Sequence, residues 1–159
     1  MPPVRASEVM IGKTTPYIIV GAIQVAIVLL AARFVFEIPF AGSNVALALG
    51  VSAFILANLM LGYLISTVAK TQMQAMQMTF FVFLPSILLS GFMFPFQAMP
   101  FWARSIGECL PITHFLRIVR EVMLKGAGTA DITADLLPLL AILLVLALAA
   151  LRRFRSTLD

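Results

Sequence analysis

The chain has 159 residues, of which 62% are hydrophobic and 11% charged, and its mean hydropathy is +1.06. Soluble domains carry about a quarter charged residues, so this composition excludes a water-soluble globule and identifies a polytopic membrane protein. The net charge of +4 does not indicate a nucleic-acid binder, because the basic residues stand singly or beside apolar runs, where they act as topology signals.

Residues 1–13, with Arg5, Glu8 and Lys13, form a short polar lead. The first crossing is predicted at 17–36, since twenty residues at about 1.5 Å rise match a hydrocarbon core of about 30 Å. Arg33 lies near its far end, and Pro39 and Gly42 stop the helix. A second crossing is predicted at 45–69. Within it Asn58, Gly62 and Ser66 recur every four residues, a small-residue pattern that favours close helix packing ahead of a role in a transport path.

The third crossing is predicted at 74–94 and is rich in Met and Phe. From Pro85 onward the chain is interrupted by Pro85, Pro95, Pro100 and Pro111, and no continuous helix is expected to run through them, because each proline removes a backbone donor and crowds the preceding turn. Irregular backbone at membrane depth needs cover from protein or a watery cavity, so 95–128 is predicted as a broken, re-entrant or interfacial helical segment. Its second part, His114 to Lys125, has apolar residues at helical spacing and its polar residues on one face, as in an interfacial helix ended by Gly126 and Gly128. The last crossing is predicted at 133–151, with Pro138 tolerated in its first turns and Arg152, Arg153 and Arg155 behind it.

The expected fold is therefore all-α, with four transmembrane helices and one broken outer segment. With four crossings both termini share a side, which collects Arg5, Lys13, Lys70, Arg152, Arg153 and Arg155, six of the 11 Lys and Arg. The positive-inside tendency makes that side cytoplasmic and turns the broken segment outward.

Catalytic constellations are missing. Ser90 lacks the G-x-S-x-G setting of a serine nucleophile, and His114 is the single histidine and lies outside the spans. There is no H-E-x-x-H for a metal and no G-x-x-x-x-G-K-[ST] loop to cradle nucleotide phosphates. Cys109 is the one cysteine, so no intrachain disulfide forms. No acid, Lys or His falls in the middle of a predicted span, which disfavours an ion-coupled pump.

Three stretches carry a family likeness: MPPVRASEVMIGKTTPY, LISTVAKTQMQAMQ, and PSILLSGFMFPFQAMPFWARSIGECLPITHFLRIVREVMLKGAG. The last contains the series S-G-F-x-F-P, M-P, L-P-x-T-x-F and R-x-x-x-L-K-G. Across essentially its whole length the chain resembles the C-terminal half of an ABC type-2 exporter permease, the membrane subunit family of drug and polysaccharide exporters. Full members have six spans, two of which precede this region, so the chain is expected to be a half or fragment, with its first 13 residues following a coupling helix.

The resemblance implies a non-enzymatic export permease in a bacterial inner membrane. It would work beside a second permease copy or homologue and an ABC ATPase subunit that binds ATP and Mg, with a periplasmic adaptor as a further candidate partner. It also implies that Pro85, Gly91, Pro95, Pro100 and Pro111, with Arg117 and Arg120, shape an external gate, and that Arg5, Glu8 and Lys13 lie near the ATPase coupling region. The apolar composition favours a hydrophobic or amphipathic cargo. The competing expectation is a structural or assembly membrane protein without a pathway, in which Asn58 and the Met-rich third span tolerate substitution.

Overall fold

Six α-helices and one 3₁₀ turn make up the computed structural model, which describes residues 6–158 and the side chains of residues 7–153. In chain order they are α1 (Ala6–Phe34), α2 (Asn44–Val68), α3 (Gln72–Leu89), the turn (Phe96–Ala98), α4 (Phe101–Glu108), α5 (Pro111–Lys125) and α6 (Thr133–Leu158). The described residues contain no strand. Four of these helices, α1, α2, α3 and α6, are long and apolar enough to cross a membrane.

The bundle is built around α2. Ala46, Ala53 and Ala57 are buried on it beside Gly50, and their small side chains allow α5 and α6 to approach closely. From α5 come Ile118 and Val122, and from α6 Leu139, with Ile132 just before it, all 0–1% exposed. A Cβ on Gly50 would lie 2.8 Å from Ile118, so the absence of a side chain there seats α5. Phe54 and Phe115 stack with centroids 4.2 Å apart and continue the α2–α5 seam. In α1, Gly21 faces Ile55 of α2. Helix α3 buries no residue of its own.

Three expectations are corrected. Pro85 does not break the chain, for it lies inside α3. The bond its nitrogen would have made, to the Phe81 carbonyl, is lost on the exposed side of the helix, and the helix runs on to Leu89. The α3 helix ends at Leu89 rather than 94, because Gly91 turns the chain with φ 83°. Finally, Asn58, Gly62 and Ser66 do not form a helix contact within the chain: all three are exposed, and nothing lies within 4 Å of a Cβ built on Gly62. The packing face is the alanine stripe, one helical position away from the polar one.

Helix ends also differ from hydropathy limits. The lead from Ala6 onward is continuous with α1, past Pro16, and α6 extends to Leu158. Hydropathy marks the apolar slab, whereas hydrogen bonding continues into the interface; Thr14 and Thr15 donate to the carbonyls of Met10 and Ile11 there.

Candidate functional site

The region between α3 and α6 is a helical hairpin whose turns are set by its prolines. Pro95 precedes the 3₁₀ turn, Pro100 caps α4, and Pro111 is the first residue of α5. These are positions where a missing N–H has no intrahelical role and a fixed φ favours helix initiation. Gly126, left-handed at φ 71°, closes α5, and Ser43 of the α1–α2 loop donates its backbone N–H to the Ala127 carbonyl at 3.1 Å. Both ends of α5 are thus tied to neighbouring elements.

Phe96 is the hub of the hairpin. Its ring lies against Gly91 and Gly107, where a Cβ would approach it to 2.7 and 2.9 Å, and the Arg117 guanidinium covers it at 4.8 Å from the centroid. Arg104 Nη2 donates to its carbonyl oxygen at 3.0 Å. A cation over an aromatic face gains from the ring quadrupole, and more where water is partly excluded.

Four charged or titratable side chains meet behind that ring. Arg117 donates from Nη1 and Nη2 to the two oxygens of Glu108 at 3.1 and 2.5 Å, a bidentate fork, and from Nη1 to Asp135 Oδ1 at 3.4 Å. His114 shares a hydrogen bond with Asp135 Oδ1 through Nδ1 at 3.0 Å and one with the Glu108 carbonyl through Nε2 at 2.8 Å. Both ring nitrogens face acceptors, so the pair of bonds is complete when each nitrogen carries a proton. His114 is 3% exposed and Asp135 8%. The hydrogen bond from Arg117 holds the Glu108 carboxyl below its ordinary range against the opposing effect of burial, and Glu108 in turn raises Arg117. Thr113 adds a hydroxyl donor to the Gly107 carbonyl at 2.6 Å. The network joins α4, α5 and the first turn of α6 into one unit.

The exposed face of α2 opens on two cavities. One, of about 230 Å³, lies between α2 and α3 and is walled by Asn58, Gly62, Thr79 and Ser86 among apolar Phe54, Leu61, Val82 and Phe83. The other, of about 670 Å³, lies between α1 and α2 and is bordered by Lys13, Tyr17, Asn58, Gly62 and Ser66. Asn58 uses its amide on its own helix, donating to the Phe54 carbonyl at 2.9 Å.

Of the residues singled out from sequence, Gly91, Pro95, Pro100, Pro111, Arg117 and Arg120 gather in the hairpin, while Pro85 lies a turn back inside α3. Asn58, Gly62 and Ser66 line the cavities; Glu8 and Lys13 lie on the first turns of α1, and Arg5 is outside the described residues. Sequence alone did not single out Phe96, Glu108 or Asp135 as site residues, and it gave His114 no partner. Its spacing of three from Arg117 puts both on one face of α5, a signal that was there to be used. Ser90 and His114 are not partners: Ser90 donates to the Ile87 carbonyl and accepts from the Phe92 N–H.

The sequence matches the family described as ABC-2 type transporter over residues 1–124. It is 37% identical over 96% of its length to the probable multidrug ABC transporter permease YbhR of Escherichia coli (strain K12), covering 42% of that protein. It is 31% identical to the probable multidrug ABC transporter permease YbhS of the same organism over 87% of this chain and 37% of that protein. Similarity extends to the linearmycin resistance permease protein LnrN of Bacillus subtilis (strain 168), at 27% identity over 96% of this chain and 40% of that one. The chain spans about two-fifths of the length of these curated relatives. No solved structure matches it. With four apolar helices, a proline-turned hairpin and a family match over most of its length, the chain belongs to the ABC-2 type transporter family.

Proposed function

We propose that this chain forms the membrane-spanning pathway region of an ABC exporter permease, alternating between inward and outward openings in step with ATP hydrolysis on a partner ABC ATPase that holds ATP and Mg. The observation that carries this reading is the exposed face of α2. On the side of α2 away from its buried alanines, Asn58, Gly62 and Ser66 are left open on two cavities with partly polar walls. A polar face open on cavities is what a pathway through the membrane needs.

A second permease copy or homologue is the partner for α3, which buries nothing within the chain and exposes Phe80, Phe81 and Phe83. The hairpin serves as the external gate, with its Arg117 network as the latch that keeps α4 and α5 moving as one piece. The excess of basic residues on the side of the two termini supports a cytoplasmic position for both, in a bacterial inner membrane. The mainly apolar walls of the α2–α3 cavity suit a hydrophobic or amphipathic cargo, in keeping with the multidrug wording of the relatives' names.

The test is to purify the native protein from its membrane in mild detergent, identify its companions by mass spectrometry, and measure export in an Asn58→Leu variant. An ABC ATPase in the complex and loss of export in the variant are expected. A transport-active complex without any ATPase refutes the proposal, and so does unchanged export on Asn58→Leu.

A further inference from the structure

A third cavity, of about 260 Å³, lies where α3 gives way to the hairpin, between Ser90, Phe96, Gln97, Leu116, Arg117 and Arg120. Its two guanidiniums are in different states. Arg117 is neutralised by Glu108 and Asp135 and lies over the Phe96 ring. Arg120 is exposed and directs one donor to the Gly91 carbonyl at 3.3 Å, and among the described residues no carboxylate pairs with it. Gln97, also exposed, makes no hydrogen bond among the described residues. Glu108 and Asp135 are held by Arg117 and His114, Glu121 makes no ion pair with Arg120 among the described residues, and the cavity lining contains no carboxylate, so the cavity presents positive charge beside a free amide.

The surroundings of this cavity are apolar and unpartnered. Phe92, Met93 and Phe94 follow the end of α3 with 55–66% of their surface exposed, and Phe101 and Trp102 open α4 at 85% and 64%. Trp102 is of the residue type enriched at bilayer interfaces, and the exposed Phe and Met beside it give the apolar surface that lipid tails cover. A cationic pocket beside Trp102 and exposed apolar residues suits headgroup depth, with apolar surface at hand for an acyl chain.

We propose that this cavity binds the phosphate group of a phospholipid headgroup. Arg120 supplies the guanidinium fork, whose geometry matches phosphate oxygens, and Gln97 supplies a second donor. The acyl chains lie along the exposed Phe92 and Phe94 side of the hairpin. Binding goes beyond the export reading and requires neither an ATPase partner nor transport, so the two stand or fall separately.

The test uses the full protein purified with its partners in mild detergent, titrated with phosphatidylglycerol and followed by native mass spectrometry. Retention of the lipid by Arg120→Ala is expected to fall roughly tenfold, the equivalent of one charged hydrogen-bonding contact. Gln97→Leu should weaken it by a smaller factor, and Lys125→Ala, which removes an equal charge from the last residue of α5, outside the cavity lining, should leave it unchanged. Diacylglycerol, with the same tails and no phosphate, should show no dependence on Arg120. Unchanged retention in Arg120→Ala overturns the proposal, as does an equal loss in Lys125→Ala. If Arg120→Ala does not fold, Gln97→Leu decides, and full retention there overturns the proposal. Inorganic phosphate separates the sources: failure to displace the lipid at millimolar concentration supports a headgroup site. Occupancy by phosphate with the same Arg120 dependence, and no retained lipid, makes free phosphate the ligand and overturns the lipid assignment.

Discussion

Replacing Asp135 with alanine removes the side-chain acceptor that, among the described residues, ties the hairpin to α6. Its Oδ1 is shared by His114 Nδ1 at 3.0 Å and Arg117 Nη1 at 3.4 Å, and the two partners lose unequal amounts. His114 is 3% exposed, so no bulk water takes the vacated place, and an orphaned buried donor costs about 1–3 kcal/mol. Arg117 keeps both bonds to Glu108 and its side chain is 34% exposed, so its loss stays at the level of a surface pair, about 0–1 kcal/mol. A total near 2–3 kcal/mol lowers the apparent Tm by roughly 5–10 °C for a chain of this size. Asp135→Asn keeps an oxygen acceptor and should lose less than half as much. The assay is thermal unfolding of the purified protein in detergent, followed by far-ultraviolet circular dichroism. An alanine variant melting within about 2 °C of the parent refutes the reasoning, because that is less than the smallest term assigned to His114. So does an asparagine variant as unstable as the alanine one, since the acceptor would then not be what matters.

Gly42→Ala should destabilise by about 1–3 kcal/mol, because its Cβ would lie 2.5 and 2.6 Å from the backbone carbonyls of Val122 and Ala127, neither of which can rotate away. Gly62→Ala, with nothing within 4 Å, should be neutral or stabilising by up to about 1 kcal/mol through helix propensity; the paired melting curves distinguish the two. Ile118→Ala empties a position that is 0% exposed between α2 and α5 and should cost about 2–4 kcal/mol, read as a lower unfolding temperature. Glu108, with its folded carboxyl lowered by the Arg117 hydrogen bond, contributes stability that is present at neutral pH and is lost as the pH falls below its ordinary 4.5. A parallel acid series of Glu108→Gln should show a shallower loss over that range, and identical curves would remove Glu108 from the network.

Where the sequence was legible, it was legible through composition and through residues whose covalent chemistry acts locally. Runs of Leu, Val, Ile and Ala long enough for a bilayer located four helices, because the cost of exposing backbone in hydrocarbon leaves few alternatives. Pro95, Pro100, Pro111, Gly91 and Gly126 marked turns at their own positions, since a fixed φ or a positive one is a property of the residue itself. Pro85 misled because the effect of proline inside a helix depends on what satisfies the freed carbonyl, and at that position the lost bond faces outward.

The tertiary structure alone decided which face of α2 is packed. The alanine stripe and the Asn58–Gly62–Ser66 stripe are both small and both periodic in sequence, and only the side chains of α5 and α6 select between them. It also decided the site. Glu108, His114, Arg117 and Asp135 are spread over 28 residues and three helices, and their charges meet because Phe96 fills the space beside Gly91 and Gly107 and α5 settles into the groove between α2 and α6. Local chemistry sets where a chain crosses and where it turns, whereas contacts between distant residues depend on how the helices pack, and that is decided by the sum of all their surfaces at once.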